Sequence, residues 1–134
     1  MEKRLGISYS ADFRGIGVSR DGLSLAAVVA YNGFTGRSCF MHSAIDDPSA
    51  VSRTFVRAIF EYPFVQCKLV EVLALVDSAN TRALDIDKRC GFKEVYRVED
   101  SGLEGKDLIL LRLRKSECRW LRNTHGKEIC SAGT

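Results

Sequence analysis

Few residues in this chain have types and spacings suited to chemistry. His42 sits between Met41 and Ser43 in an alternating segment, and imidazole is the commonest general base. Glu71, Asp77, Asp85, Asp87, Glu99 and Asp107 supply carboxylates, but no spacing singles out a pair. With only two histidines, His42 and His125, no Ser-His-Asp or Cys-His arrangement can be read from the order of residues. The five cysteines form an odd set without a C-x-x-C pair, so neither a disulfide framework nor a metal site is expected. They read as reduced thiols that fill the core.

Two segments are placed to meet a ligand. Pro48-Ser-Ala-Val-Ser-Arg-Thr54 opens a helical pattern, where unpaired N–H groups and the positive end of the helix dipole suit phosphate. Ser49 and Ser52 add hydroxyls there and Arg53 a cation; a plain helix cap is the simpler account of the same residues. Val76-Asp77-Ser78-Ala79-Asn80 lies where an apolar strand passes into a helix, and polar side chains at a strand's carboxyl end often face a ligand. Asn80 also suits an ordinary first-turn position.

These residues must be held by the elements around them. Arg14–Ser19, Leu23–Tyr31 and Ser38–Ile45 read as three strands joined by tight turns at Asp21-Gly22 and Asn32-Gly33, an antiparallel meander. The period then changes. Val51, Phe55, Ala58, Ile59 and Tyr62 fall on one helical face, and Pro63 is expected to stop that helix. Leu69–Val76 is almost wholly apolar, as a strand covered on both faces would be. Ala79, Ala83, Ile86 and Cys90 mark a second helix ended by Gly91, and two strands follow, Phe92–Val98 and Asp107–Arg114. The order is β-β-β-α-β-α-β-β. A single α+β domain is expected over residues 1–134, with a mixed, mostly antiparallel sheet flanked by helices, residues 1–12 poorly defined and 123–134 a flexible tail.

Composition narrows the partners. The chain has 134 residues, 46% of them hydrophobic, which suits one globular core and excludes a disordered or collagen-like chain. No apolar run reaches the ~20 residues of a membrane span, and the start lacks a signal-peptide stretch, so a cytoplasmic location is expected. The net charge of +3 balances 20 basic against 17 acidic residues, too even for a strong nucleic-acid footprint. Arg112, Arg114, Lys115, Arg119, Arg122 and Lys127 cluster late, but Glu117 and Glu128 interrupt them, as on a solvated face.

Asn80-Thr-Arg-Ala-Leu-Asp-Ile-Asp-Lys-Arg-Cys-Gly-Phe92 resembles the N-x-x-A-(x)7-G-F segment of the GNAT (GCN5-related) acetyltransferases. Asp107–Trp120 resembles the closing strand of a branch that acetylates protein N-termini and small amines. Together with Phe60-Glu-Tyr-Pro-Phe64, the string is most similar to small GNAT-like proteins of bacteriophages and prophages, over about residues 13–122. The resemblance implies acetyl-CoA as cosubstrate, lying in a splay between the family's fourth and fifth strands. Backbone partners would be Met41, His42, Ser43 and Ala44, and a phosphate turn would span Ser49, Ala50, Val51, Ser52, Arg53 and Thr54. Asn80 matches the family asparagine beside the cofactor arm, followed by Ala83.

Two positions depart from the pattern. The phosphate turn holds no glycine, and Asp87 stands where many members carry a tyrosine that protonates the leaving thiolate. The helices that build the acceptor pocket in that family have no counterpart beyond residues 1–12. The implied activity is acetyl transfer to a primary amine of a protein N-terminus, a lysine or a small molecule. His42 is the expected base, with Asp77 or Glu99 as substitutes, and Asp87 the third candidate catalytic residue. A catalytically degenerate CoA-binding or assembly module is the alternative. A homodimer or a large acceptor would complete so short a chain.

Overall fold

A computed structural model describes residues 4–9, 14–19 and 25–121 of the chain. Seven strands form one sheet in the order β1-β2-β3-β4-β5-β7-β6: β1 (Arg4–Tyr9), β2 (Arg14–Ser19), β3 (Leu25–Asn32), β4 (Ser38–Ile45), β5 (Glu71–Asp77), β6 (Lys93–Val98) and β7 (Leu108–Arg114). Every neighbouring pair is antiparallel except β4 and β5, which are parallel and joined through helix α1 (Arg53–Glu61). Helix α2 (Thr81–Cys90) connects β5 to β6. The expected α+β architecture is observed, with one strand more than the sequence reading supplied. That strand, β1, pairs Leu5 with Val18 and Ile7 with Ile16, and its apolar residues alternate with Arg4, Gly6 and Ser8. The Asp21-Gly22 turn and the tail from 122 onward lie outside the described residues.

The expected helix start at Pro48 is displaced. Pro48–Ala50 forms one 3-10 turn capped by Asp47, and α1 begins only after Ser52, whose hydroxyl accepts the Phe55 N–H at 3.1 Å. At the other end Pro63 does not stop the helix. The chain widens into a π turn over Tyr62–Gln66, closed by the Cys67 N–H on the Tyr62 carbonyl. A proline has no N–H for the carbonyl four residues back, so Ile59 C=O loses its helical donor. The buried Tyr31 hydroxyl supplies one, donating to that carbonyl at 2.6 Å. Proline is therefore tolerated because β3 brings a replacement donor.

Both helices lie on one face of the sheet. Tyr31 reaches α1 from β3, and Phe60 of α1 meets Phe92, the residue that follows α2, at 6.2 Å between ring centroids. Gly91 ends α2 with φ +115°, a left-handed conformation suited to glycine, and it sits over Leu113 of β7. The Trp120 indole N–H donates to the Cys90 carbonyl and fastens the chain after β7 to the end of α2. Between sheet and helices lie Tyr31, Phe55, Phe60, Phe64, Val72, Ile109, Leu111 and Leu113, all nearly or fully buried. Burial pushes the thiols of Cys39 up to about 12, and of Cys90 and Cys118 to about 11, so these three fill space as inert thiols. Among the described residues no helix is long and apolar enough to cross a membrane.

Replacing Tyr31 by Phe removes this buried donor to the Ile59 carbonyl, which costs about 1–3 kcal/mol. Urea unfolding of the Tyr31→Phe variant should show a lower midpoint at unchanged slope.

Candidate active site

The parallel pairing of β4 with β5 lasts for three residue pairs, Ser38 with Glu71, Cys39 with Val72 and Phe40 with Leu73. Beyond them the strands part. Backbone groups alternate in direction along a strand. Val70 and Glu71 both donate to Arg37 C=O, while Asp46 N–H turns to Ala26 of β3. By that alternation Met41 and Ser43 direct their N–H and C=O groups at β5; the last pair, Phe40 with Leu73, uses the Met41 N–H, and no ladder partner remains for the Met41 C=O or for Ser43. Leu75 does the same from the opposite side. Strand β4 is otherwise held only through β3, where Ala30 pairs with His42 and Val28 with Ala44.

A cavity of about 130 Å³ occupies the parting, lined by Met41, His42, Ser43, Ala74, Leu75, Val76, Ala83, Asp87 and Phe92. Its wall on one side is α2, where Ala83 and Asp87 stand one turn apart. Asp87 is half-buried there, and its loss of solvent pushes its carboxyl up from 3.8 to about 6. His42 enters from β4. Side chains alternate too: Cys39 and Met41 are buried toward the helices, while Phe40 and His42 face the other way. The His42 Nε2 lies 3.0 Å from Asn32 Oδ1. A carbonyl oxygen only accepts, so Nε2 is the donor in this contact and Nδ1 is the nitrogen left to act as a base. Asn32 escaped the sequence reading because Asn32-Gly33 reads as a turn; only the β3–β4 register places it beside His42.

The other expected site residues are distributed more widely. Of the four backbone partners, Met41 and Ser43 face the parting, whereas His42 and Ala44 turn their backbone groups to β3. Asp77 is not in the cavity. Its Oδ2 accepts the Leu103 N–H and its Oδ1 the Ala79 N–H, both at 2.8 Å, and these bonds hold its carboxyl below the usual range. A Cβ at Gly102 would come within 2.6 Å of Asp77 Oδ2, so glycine is required for this clamp between β5 and the β6–β7 loop. Glu99 is exposed in that same loop, away from the cavity lining. Asn80 caps α2, its Oδ1 accepting the Ala83 N–H at 3.1 Å. The expected phosphate turn divides in two. Ser49 is bonded to Asp47 and Ala50 is wholly buried, with Val51 partly buried behind it. Ser52, Arg53 and Thr54 form the exposed opening of α1. Among the described residues no group of three or more His, Cys, Asp or Glu could hold a metal ion.

No family model matches the chain, and no curated protein matches its sequence. Its structure, however, is similar to solved N-acetyltransferases. Spermidine N-acetyltransferase from Vibrio cholerae, in complex with CoA and spermine, superposes with a TM-score of 0.69 at 18% identity, covering 80% of this chain and 68% of that one. The N-acetyltransferase PseH from Campylobacter jejuni gives a TM-score of 0.61 at 20% identity, covering 79% and 70%. The chain has the fold of the GNAT N-acetyltransferases.

The half-buried carboxyl of Asp87 makes stability depend on pH. Its folded pKa is raised, so the wild type is relatively most stable below about pH 3.8 and loses stability as pH rises through about 6. Asp87→Asn should be indistinguishable from wild type in this respect near pH 4. Above pH 6 it should be more stable by up to about 3 kcal/mol, measured by denaturant unfolding at both pH values.

Proposed function

We propose that this chain is an acetyl-CoA-dependent N-acetyltransferase acting on a primary amine. The observation that carries this reading is the parting of β4 from β5 over a cavity holding both His42 and Asp87. The Met41 C=O and the N–H and C=O of Ser43 can pair an extended amide arm as a strand would, and the Ser43 N–H can face the developing oxyanion. The exposed first turn of α1, with Arg53 one turn ahead of Arg57, suits the phosphates at the other end. Acetyl-CoA supplies the activated thioester.

The chain's residues then divide the proton work. His42 Nδ1 takes a proton from the acceptor ammonium, directly or through a water, and frees the amine lone pair. The amine nitrogen bonds to the acyl carbon as the carbon–sulfur bond breaks, and the second proton on that nitrogen passes to water as the neutral amide forms. Asp87 lies on the helix side of the cavity and delivers its proton to the departing sulfur. An ordinary aspartate would be ionised at this task; one that holds its proton to about pH 6 is a usable donor.

A non-catalytic CoA-binding module is the second reading, favoured by the buried Ala50 and the Asp47–Ser49 bonds where a glycine-rich phosphate turn would be open. CoA binding without thiol release over a broad amine set would select it. We place the protein in a bacterial cytoplasm, on the resemblance to phage and prophage proteins.

Acetyl-CoA should raise the melting temperature of the purified chain, and calorimetry showing no binding would sink the proposal. His42→Gln should lower kcat by about 100-fold with little change in the affinity for acetyl-CoA. Asp87→Asn should cost about 10–100-fold in kcat at pH 6 and much less at pH 8, where Asp87 is already ionised.

A further inference from the structure

Two residues that line the cavity, His42 and Leu75, carry their side chains on the sheet face away from the helices. Of these, Leu75 is 44% exposed. In register, Leu75 pairs with Leu110 of β7, and Leu110 pairs with Tyr96 of β6, itself 64% exposed. Partners in register share a face, so these three side chains form an apolar stripe leading from the cavity across β5, β7 and β6. Leu108 and Val98 widen it. Among the described residues both helices lie on the opposite face, and no element covers this stripe.

The charges beside the stripe say what can lie on it. Glu71 faces Arg112 and Arg114, its Oε1 3.9 Å from each Nε. Asp77 has both oxygens on backbone N–H groups. Lys93 stands next to Arg112 across the ladder. The two strand carboxylates on this face are thus already engaged, Glu71 by arginines and Asp77 by backbone N–H groups, so the face offers a polycation little to hold. The apolar length is also defined. Two strand spacings of about 4.8 Å give about 10 Å, the reach of about three extended residues at about 3.3 Å each.

We infer that the acceptor is a polypeptide amino terminus with apolar leading side chains, seated along Leu75, Leu110 and Tyr96 with its amine at His42. This assignment rests on the acyl-transfer reading above. It distinguishes this chain from the Vibrio cholerae enzyme crystallised with spermine, whose ligand is a polycation.

Three acceptors test it with the full chain: an octapeptide beginning with three leucines, one beginning with three serines, and spermidine. The leucine-led peptide should be acetylated with a kcat/KM at least tenfold above both others. Tyr96→Ser should raise its KM at least fivefold with kcat within twofold, while Leu103→Ser, exposed but off the stripe, should change neither. Binding of the same peptide in the presence of CoA is read separately, by NMR shifts at Tyr96 and Leu110. Preference for spermidine, an unchanged KM in Tyr96→Ser, or no binding of the leucine-led peptide would each overturn the assignment. Peptide shifts at the stripe without any effect of acetyl-CoA on melting would support the surface and count against acyl transfer.

Discussion

Much of the site depends on one unmade set of hydrogen bonds. A parallel pair in the middle of a sheet normally continues to the strand ends, because a backbone N–H left in the interior costs about 1–3 kcal/mol. Here β4 and β5 stop pairing after Phe40 and Leu73. The unpaired groups of Met41, Ser43 and Leu75 are tolerated because the cavity beside them is open to a ligand or to water. Each strand is secured from its far side, β4 by six pairs to β3 and β5 by seven to β7. The parting is therefore rigid on both edges, which is what a pre-organised binding slot requires.

The helices reinforce this arrangement from one side only. Helix α1 is tied to β3 by the Tyr31–Ile59 bond, and its continuation through Pro63 brings Phe60 and Phe64 under the sheet, their rings 6.4 Å apart. Phe60 in turn meets Phe92, which lines the cavity. The end of α2, held by Gly91 over Leu113 and by Trp120, sets where Asp87 stands. A contiguous packed chain thus runs from the proline turn to the carboxyl that faces the slot.

How much of this was legible in the sequence differs by residue. The two helices, the meander and the final hairpin follow from apolar period and glycine placement, and they are found where expected within a few residues. The alternation of Leu5, Ile7 and Tyr9 was also readable, but it was lost among the mixed residues of 1–12. Pro63 misled because its local rule is sound and the compensating donor lies 32 positions earlier, at Tyr31. Asp77 misled in a similar way: it ends a strand beside a helix, as site residues often do, yet its oxygens are taken by Ala79 and by Leu103 from a distant loop. Asp87 was identified only through resemblance. Its raised pKa is a property of burial, which no single-sequence pattern carries.

In the proposed reaction the sheet itself separates the two proton transfers that acyl transfer needs. His42 points to the open face, where its Nε2 meets Asn32, and Asp87 sits on the helix face in a desolvated wall. A proton must leave the amine on the side from which the acceptor arrives, and another must reach the sulfur on the side along which the leaving group departs. Were both groups on one face, the proposed base His42 and the proposed acid Asp87 could exchange a proton directly and cancel each other's function. The parting between β4 and β5 lets the reacting carbon meet both while the strands on either side keep them apart. Residue types alone would not distinguish such an arrangement from a histidine and an aspartate scattered over a small domain; the divergence of two strands does.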